Sequence, residues 1–456
     1  MLFSSKRSKL QLLCVLAVIT ISPTFAASET WLTAEEILTS IQLPDIPDRE
    51  FSIEDFGAKS KEGYDNLPAI KAAIEAAAAS GGGKVIVPEG SWYVKGPIHL
   101  KSKINLYLAK GSHLQFSEHP AHYLPTVLTR WEGTELYSYS PLIYAANVHD
   151  VAITGEGTLD GHENSQFKEW QSKQNDDMQR LRHMGANGVP KEERVFAEGT
   201  YLRPVFVQFF HAERVLLENY RIINAPFWIN HLVYTSSATV RNLKVESHFA
   251  NNDGLDIESS QLVLAENNWF RTGDDSVVVK SGRDLDGRNI GIPSKDIVVR
   301  NNDMGGEDGI ALGSEMSGGI SNVHFIDNVL RKGVSAIRFK ANLDRGGLVE
   351  HIRVKNFKVE SFETLFWFQL NYPGELGGNF PSTYRDIVFE NFEVEEAGTF
   401  LEVDAAAVAP LENVIFVVIV VAKNVTPFVL ENARNLEFSI VKIGSQTING
   451  ELDWVE

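Results

Sequence analysis

Three aspartates and a basic pair stand out in the chain because their spacing could bring them to one place. These residues are Asp253, Asp274, Asp275, Arg338 and Lys340. Asp275 follows Asp253 by 22 residues, Asp308 follows Asp275 by 33, and Arg338 follows Asp308 by 30. If each interval is one coil of a solenoid, equivalent residues of neighbouring coils lie about 4.8 Å apart. Carboxyl groups a few ångströms apart are suited to cleaving a glycosidic bond.

Strand-like apolar segments recur along the chain at the spacing that such a solenoid requires. They centre on Val151, Val215, Val240, Val263, Ile297, Val323, Ile352, Ile387, Val414 and Leu436. Apart from one step of 64 residues, the steps between these centres are 22 to 35 residues long. Steps of this length predict an all-β fold, a right-handed parallel β-helix with one coil per step.

Asparagines follow most of these segments, and two interpretations of them are open. The residues are Asn219, Asn242, Asn267, Asn301, Asn328, Asn356 and Asn391. Asparagine favours turns in general, and stacked asparagines can also form a hydrogen-bonded ladder at the corners of a solenoid. The periodic placement favours the ladder.

The ends of the solenoid and its one long step are predicted separately. Residues from about 51 to about 100 predict an N-terminal cap, with a strand at 51–58, a helix at 66–79 and a strand at 84–87. Thr33 and Glu36 form a capping-box pattern that predicts a short helix before this cap. The long step contains residues 161–201, which predict an insertion with a helical middle that leans over the groove.

The motifs together resemble the polygalacturonase family, glycoside hydrolase family 28. The resemblance rests on N-x-D-G at Asn251, G-D-D at Gly273 and R-x-K at Arg338, which occur in the family's order. The strings KSGRDLDGRN and GSEMSGG are similar to bacterial members, several of which are exo-acting. The similarity runs from about Phe51 to about Ile440.

The resemblance implies a role for each residue of the motifs. It makes Asp274 the general acid, while Asp253 and Asp275 hold and deprotonate the attacking water of an inverting reaction. Arg338 and Lys340 would bind a galacturonate carboxylate beside the scissile bond. Asn251 would support the site by hydrogen bonding, and Tyr372 loosely matches a tyrosine near the sugar. The reaction requires neither a metal nor another cofactor.

The chain departs from the family's pattern at Asp308. Family members usually carry G-H-G where this sequence has Glu307, Asp308 and Gly309, so the histidine is replaced by an acid. A carboxylate here would raise the pKa of neighbouring carboxyl groups. We expect Asp308 to contact the substrate, for example the hydroxyls of a neutral sugar such as rhamnose. The competing interpretation is a damaged position in a weakly active protein.

Several alternatives therefore stay open beside a galacturonate-cleaving hydrolase. Within enzymes, they are a rhamnogalacturonan hydrolase and a galacturonidase for branched pectin. A calcium-dependent pectate lyase is disfavoured because the D-D and N-x-D patterns favour hydrolysis. The alternative from another class is a non-catalytic glycan-binding β-helix, which the presence of all three acids argues against.

Charge and the N-terminus limit the partners and the location. The net charge is −18, which excludes a general nucleic-acid-binding surface and requires a local basic site for an acidic glycan. Residues 1–27 predict a secretory signal peptide, and 28–456 a single catalytic β-helix domain. The chain's one cysteine, Cys14, lies within the signal peptide. We therefore expect a secreted or periplasmic bacterial protein, monomeric and without a membrane partner.

Overall fold

The structure is a computed structural model that describes residues 31–372, 374–423 and 426–454. The predicted signal peptide, residues 1–27, lies outside the described residues. Leu32–Glu456 form one compact unit. Within the described ranges, every helix is too short or too polar to cross a bilayer.

Strands dominate the described part of the chain. The helices are α1 (Ala34–Ser40), α2 (Leu67–Ala79), α3 (Phe167–Trp170), α4 (Asn175–Ala186) and α5 (Asp284–Ile290), with 3-10 turns at Ile53–Phe56, Pro120–Tyr123 and Lys191–Glu193. The strands are β1 (Glu50–Ser52), β2 (Gly83–Val87), β3 (Gly90–Val94), β4 (Ile98–His99), β5 (Ile104–Leu108), β6 (Ser112–Phe116), β7 (Val127–Trp131), β8 (Thr134–Ser138), β9 (Ile143–Gly155), β10 (Thr158–Asp160), β11 (Val195–Phe196), β12 (Val207–Glu218), β13 (Arg221–Ile223), β14 (Asn230–Val233), β15 (Ser236–Arg241), β16 (Lys244–Ser247), β17 (Leu255–Glu258), β18 (Gln261–Glu266), β19 (Trp269–Thr272), β20 (Val277–Lys280), β21 (Ser294–Arg300), β22 (Asp303–Gly305), β23 (Asp308–Leu312), β24 (Ile320–Ile326), β25 (Val329–Lys340), β26 (Leu348–Gln369), β27 (Thr383–Asp404), β28 (Leu411–Val421), β29 (Thr426–Glu431), β30 (Ala433–Ile443) and β31 (Gln446–Trp454).

The predicted parallel β-helix is confirmed by the register between coils. In one stack, each strand pairs in parallel with the strand of the next coil, so that β12, β15, β18, β21 and β24 lie side by side. Nine of the ten predicted strand centres occupy one column of this stack, from Val151 through Val215 to Leu436. The exception is Val240, which lies two residues beyond the column on the same strand, where Ala238 takes the place.

The interior of the coil is packed with apolar side chains from successive turns. Phe389, Phe416 and Phe438 stack with ring centroids 5.1 Å apart at each step, close to the spacing between strands. Successive residues of a strand point alternately into this core and out of the coil. The outward-pointing residues are therefore not needed for core packing and can form a binding or catalytic site.

The asparagine ladder exists, and it runs partly through the predicted residues. Asn391 Nδ2 donates to Asn356 Oδ1 at 2.8 Å as predicted, whereas two of the earlier coils use residues one position further along the chain. The Nδ2 of Asn268 donates to Asn302 Oδ1 at 2.9 Å, and Asn302 Nδ2 donates to Asn328 Oδ1 at 3.0 Å. Of Asn268, Asn302 and Asn328, only Asn328 belongs to the set predicted from the sequence. The residues one position earlier, such as Asn267 and Asn301, have left-handed backbones with φ of 56° and 55°. Asparagine tolerates the left-handed conformation. Each of these corners therefore uses two consecutive asparagines, the first to form the turn and the second to form the ladder.

The N-terminal cap agrees with the prediction except in its first strand. The helix α2 covers the end of the coil with Ile70, Ala73 and Ile74 buried. The predicted strand at 51–58 ends after three residues, because Ser52 Oγ accepts a hydrogen bond from the amide of Glu54 and starts a 3-10 turn. The capping box of Thr33 and Glu36 on α1 is confirmed.

Two additions stand beside the coil near the middle of the chain. The first is the antiparallel hairpin of β7 and β8, which β11 extends into a three-stranded sheet. The second is the insertion predicted at 161–201, whose helical middle is α3 and α4. A small apolar cluster joins the two additions, with Trp131 and Leu136 of the hairpin against Leu181 of α4.

Candidate active site

The three predicted acids lie in two turns, and each turn leads directly into a strand of the coil. Asp253 precedes β17, whereas Asp274 and Asp275 precede β20, and β17 pairs with β20 in parallel register. One carboxylate oxygen from each acid lies within 4.8 Å of the others. The one-coil interval therefore brings the acids together as the sequence predicted.

Gly273 makes room for this arrangement by close packing rather than by an unusual backbone angle. Adjacent residues on a regular strand would point to opposite faces, but Asp274 and Asp275 lie in the turn between β19 and β20. A Cβ atom on Gly273 would come within 2.2 Å of the carbonyl oxygen of Phe249 on the preceding coil. A side chain at this position would thus push the acid pair away from Asp253.

A cleft of about 630 Å³ collects nearly all of the predicted site residues. It is lined by Asn251, Asp253, Asp274, Asp275, Arg338, Lys340 and Tyr372. Tyr372 is 39% exposed and open to a ligand. Asp308 is the exception, since it is fully buried beneath the cleft wall.

Asp308 supports the basic pair from below. Its carboxylate accepts from Arg338 Nη1 at 3.1 Å and from Lys340 Nζ at 3.1 Å, and Ser335 Oγ also donates to it. Burial favours the protonated form of Asp308, but the charges of Lys340 and Arg338 outweigh it and lower the pKa to about 2. Direct contact with the substrate, which the sequence analysis predicted, does not fit this position. The acid instead fixes two cations that face the cleft.

Lys340 connects the basic pair with the catalytic acids. Its Nζ donates to both oxygens of Asp275, at 2.8 and 2.9 Å. Burial still raises the pKa of Asp275 well above the usual aspartate range, and Asp308 adds to this effect by repulsion although Lys340 opposes it. The carboxyl group of Asp275 therefore gains a proton more readily than an exposed aspartate does.

A fourth carboxyl group, which the sequence analysis missed, lies under Asp253. Asp256 on β17 is fully buried, and none of the described residues donates a hydrogen bond to either of its oxygens or to Asp253 Oδ1. Lys280 Nζ is 3.8 Å from Asp253 and 3.9 Å from Asp256. Burial raises the pKa of both acids well above the usual range; repulsion from Asp256 adds to the effect on Asp253, and Lys280 opposes the effect on both. A proton shared between the two carboxyl groups would satisfy two of these three oxygens.

Asn251 takes the supporting role that the resemblance implied. Its left-handed backbone, with φ of 58°, turns the side chain toward the acids. Nδ2 lies 3.5 Å from Asp274 Oδ2, while Oδ1 accepts from the buried guanidinium of Arg203. The amide of Asp275 also donates to Asp274 Oδ1 at 2.9 Å. Asp274 is thus oriented from both sides and remains partly open to the cleft.

The opposite end of the cleft is formed by residues that the sequence analysis did not assign. Lys280 Nζ lies 4.7 Å from the centre of the Trp228 ring and 3.2 Å from Glu315 Oε2. Arg283 Nη1 donates to Glu315 Oε1 at 3.1 Å. The strings KSGRDLDGRN and GSEMSGG contained Lys280, Arg283 and Glu315, but their spacing alone does not show that they meet.

An ion-pair bridge lines the cleft beside these residues, where Glu132 Oε2 lies 3.7 Å from Arg283 Nη1. Arg182 of α4 donates at 2.7 Å to Glu132, which lies between β7 and β8, and at 2.7 Å to Glu375. The three residues come from segments that are far apart in sequence, and all three line the cleft. The insertion therefore reaches the groove as predicted.

The arrangement can protonate a leaving oxygen and activate a water molecule. Asp274 is open to the cleft, and Asp253 and Asp275 stand beside it as two carboxylates that could hold one water. Three oxygens at this spacing are also the beginning of a cation site. Here Lys340 and Lys280 already bring positive charge to the acids, which makes the cluster suited to water rather than to a metal.

Comparison with known proteins places the chain among similar sequences and folds. The family model described as "Glycosyl hydrolases family 28" matches residues 126–416, and a model for "Rhamnogalacturonase A/epimerase, pectate lyase-like" matches residues 50–118. An exopolygalacturonase structure from Thermotoga maritima is 38% identical, with a TM-score of 0.88 over 92% of this chain and 98% of that one.

More distant relatives agree with this placement. A probable polygalacturonase from Vitis vinifera is 28% identical over 75% of this chain and 68% of its own length. A family 28 exopolygalacturonase from Yersinia enterocolitica shares the fold, with 20% identity and a TM-score of 0.74 over 90% of this chain and 78% of that one. The family match spans the coils that carry all the acids and the basic pair. The chain belongs to glycosyl hydrolases family 28 and is a glycoside hydrolase acting on a polysaccharide or oligosaccharide.

Proposed function

We propose that the protein is an inverting hydrolase that removes galacturonate units from the end of a pectic polysaccharide or oligosaccharide. The observation that carries this proposal is the placement of Arg338 and Lys340 in the same cleft as the three aspartates. A guanidinium and an ammonium group beside the acids provide a carboxylate-binding site next to the bond that is cleaved. The similarity to a Thermotoga maritima exopolygalacturonase at 38% identity supports the same substrate class.

The proposed reaction assigns one step to each acid. Asp274 gives its proton to the glycosidic oxygen as the bond breaks. Asp253 and Asp275 hold a water molecule and take its proton as the water attacks the sugar from the opposite face. Lys340 keeps Asp275 in place, and neither carboxylate is free to form a covalent intermediate in this scheme. The product therefore has the opposite anomeric configuration.

Cleavage from a chain end is proposed because of the bridge formed by Arg182, Glu132 and Glu375. A polysaccharide can pass through a groove only if the groove is open at both ends. The bridge joins α4, the hairpin and the segment after β26, and all three residues line the cleft. We infer that these joined segments close one end of it. Such a closed end fits the terminal sugar of a chain.

The resemblance also leaves two alternatives that the site makes less favourable. A rhamnogalacturonan hydrolase would place a neutral sugar beside the acids, but two buried cations face that position. A non-catalytic glycan-binding β-helix would not require buried carboxyl groups around its binding cleft, and this site has four of them, Asp253, Asp256, Asp275 and Asp308. Desolvating charged groups is unfavourable, and such groups are retained where they do chemistry.

The proposal includes the location and the domain organisation. We propose that residues 1–27 direct export and that 28–456 form one catalytic domain, which acts as a monomer outside the cytoplasm.

The role of Asp308 leads to a specific prediction about stability. Asp308→Asn removes the charge that pairs with both Arg338 and Lys340, and leaving two buried cations underneutralised costs about 3 kcal/mol or more of unfolding free energy at pH 7. Because the folded pKa of Asp308 is lowered to about 2, its contribution is present above about pH 4 and is lost as the pH falls toward 2. The cost of the substitution should therefore shrink below pH 4.

Chemical denaturation at pH 7 and pH 3 measures this difference. Asp303→Asn is the matched control, because Asp303 also pairs with two arginines, Arg271 and Arg331, but at the surface. We expect the control to cost less than about 1 kcal/mol at either pH. Equal costs for the two variants at pH 7 would contradict the supporting role of Asp308.

A panel of substrates tests the proposed function as a whole. The protein is incubated with polygalacturonate, xylogalacturonan and rhamnogalacturonan backbones, and the products are separated by size. We expect monogalacturonate from polygalacturonate at the earliest times, without intermediate oligosaccharides. Early oligosaccharides would reject cleavage from the end, and products from rhamnogalacturonan alone would reject the substrate.

A further inference from the structure

The cleft contains arginine donors that the protein itself leaves without acceptors. The Nε atoms of Arg182, Arg283 and Arg338 are buried, and none of the described residues accepts a hydrogen bond from them. All three side chains line the cleft. Buried donors without partners are rare in folded proteins, and a ligand is one explanation for them.

Arg283 is the most open of the three to an anionic ligand. Arg182 uses both terminal nitrogens on Glu132 and Glu375, and Arg338 uses both on Asp308 and Gln369. For Arg283, the hydrogen bond from Nη1 to Glu315 is the one that the described residues provide. Asp284 Oδ2 lies 3.7 Å from Nε and Glu132 Oε2 lies 3.7 Å from Nη1, so both are ion-pair neighbours beyond hydrogen-bond distance. The edge formed by Nε and Nη2 therefore remains, and this is an edge that binds a carboxylate through two parallel hydrogen bonds.

The surroundings of Arg283 favour an anion. The Arg283 side chain is 6% exposed, and burial together with repulsion from Arg345 and Arg182 lowers its pKa to about 10. Three carboxylates surround Arg283, and each also pairs with another cation. Glu315 is shared with Lys280 and Arg345, at 3.2 and 4.0 Å. Asp284 is shared with Arg345 at 2.5 Å, and Glu132 is shared with Arg182 at 2.7 Å, so none of the three neutralises Arg283 alone. A carboxylate at this edge would relieve the repulsion among the cations.

An aromatic side chain forms part of the cleft wall beside these donors. Trp228 lines the same end of the cleft but is only 3% exposed, because its ring stacks on Phe227 and lies under Lys280 Nζ. Trp228 therefore shapes this end of the cleft and holds Lys280 in place. The bridge of Arg182 with Glu132 and Glu375 provides carboxylates for the hydroxyls of a sugar at the same end.

We propose that Arg283, with Trp228 and the Arg182 bridge, forms a second carboxylate-binding site that holds the uronate group of the terminal sugar. In this arrangement Arg338 and Lys340 bind the carboxylate of the next sugar, across the acids. The inference rests on the proposed function and deepens it: the enzyme recognises two consecutive free uronates at a chain end. A terminal neutral or esterified sugar then blocks cleavage even where the second sugar is a free uronate.

Two monomethyl esters of digalacturonate test this proposal, one carrying the ester on the non-reducing sugar and the other on the reducing sugar. In the unmodified enzyme, we expect each ester to lower kcat/KM by about 30-fold or more relative to the free diacid, because each leaves an arginine without its charged partner. Arg283→Gln should remove the discrimination against the non-reducing-end ester and keep that against the other ester. Arg283→Lys keeps the charge but not the planar edge, so this variant should retain part of the discrimination against the non-reducing-end ester.

The comparison uses a ratio of two substrates within each variant, so a reduced fraction of folded enzyme cancels. Arg271→Gln is the control, because Arg271 pairs with Asp303 outside the cleft and should keep both ratios unchanged. An Arg283→Gln enzyme that still rejects the non-reducing-end ester as strongly as the unmodified enzyme would overturn the proposal. An unmodified enzyme that cleaves the diacid but tolerates this ester would overturn it too. Failure to cleave the free diacid would instead reject the proposed function.

Discussion

An Asp274→Asn enzyme is expected to lose about 10²- to 10⁴-fold in kcat on polygalacturonate while it still folds and binds the substrate. The amide cannot protonate the glycosidic oxygen, yet it keeps the shape of the side chain and, through its one oxygen, the hydrogen bond from the Asp275 amide. Steady-state rates give the loss, and circular dichroism with a binding measurement verifies the fold.

A substrate with an activated leaving group separates the acid from other roles. On a nitrophenyl galacturonide, the leaving group needs little protonation, so the Asp274→Asn enzyme should recover most of the lost rate. The rival for the acid role is Glu307, which lines the cleft and whose pKa is raised by burial and by Asp274. If Glu307→Gln showed the large loss and the selective recovery while Asp274→Asn did not, Glu307 would be the acid instead.

The second large effect is expected at Arg338. Arg338→Ala should cost about 2–5 kcal/mol in kcat/KM on the free acid, because it removes one partner of a buried carboxylate contact. Methyl-esterified substrate lacks the charge, so the same substitution should cost much less on it. The ratio of kcat/KM between the free acid and the methyl ester should therefore become smaller. It should not fall to one, because the ester on the terminal sugar still lowers kcat/KM.

Kinetics on polygalacturonate and on its methyl ester measure this effect. Arg331→Ala is the matched control, since Arg331 lies on the same strand, β25, but pairs with Asp303 and Glu360 outside the cleft. The Arg331→Ala enzyme should keep its rates on polygalacturonate and on the methyl ester within about twofold of those of the unmodified enzyme, as expected for the loss of a surface ion pair. Equal rates of the unmodified enzyme on acid and ester would refute carboxylate binding by Arg338 and Lys340.

The sequence was sufficient for the features that repeat. Strand centres such as Val215 and Ile297 could be placed because the coil requires an apolar residue at each turn of the interior. The convergence of Asp253 with Asp275 followed from the same interval. In the earlier coils the asparagine ladder was displaced by one residue because Asn267 and Asn268 are both asparagines with different tasks at one corner.

Features that depend on contacts between distant segments were not available from spacing. Asp308 looked like a cleft residue, and its burial depends on Arg338 and Lys340 covering it from the next coil. The closed end of the cleft needs α4 to meet the hairpin and Glu375, and no repeat relates those three segments. Asp256 was overlooked because a second acid three residues after Asp253 resembles an ordinary solvated strand residue.

The anomeric configuration of the first product tests the central claim most directly. The claim is that Asp274 donates the proton and that water held by Asp253 and Asp275 attacks directly. The nearest carboxylate oxygens are within 4.8 Å, whereas inverting enzymes typically separate their carboxyl groups by about 6.5–9.5 Å. The distance between the carboxyl groups therefore does not by itself predict inversion. Inversion is expected because Asp253 and Asp275 together hold the attacking water.

Proton NMR is recorded during the first minutes of trigalacturonate hydrolysis, before the free sugar equilibrates. The account predicts monogalacturonate that initially carries the anomeric configuration opposite to that of the cleaved bond, with digalacturonate as the other product. Initial release of the same configuration would show a covalent intermediate and contradict the roles given to Asp253 and Asp275. An unsaturated product would contradict hydrolysis itself.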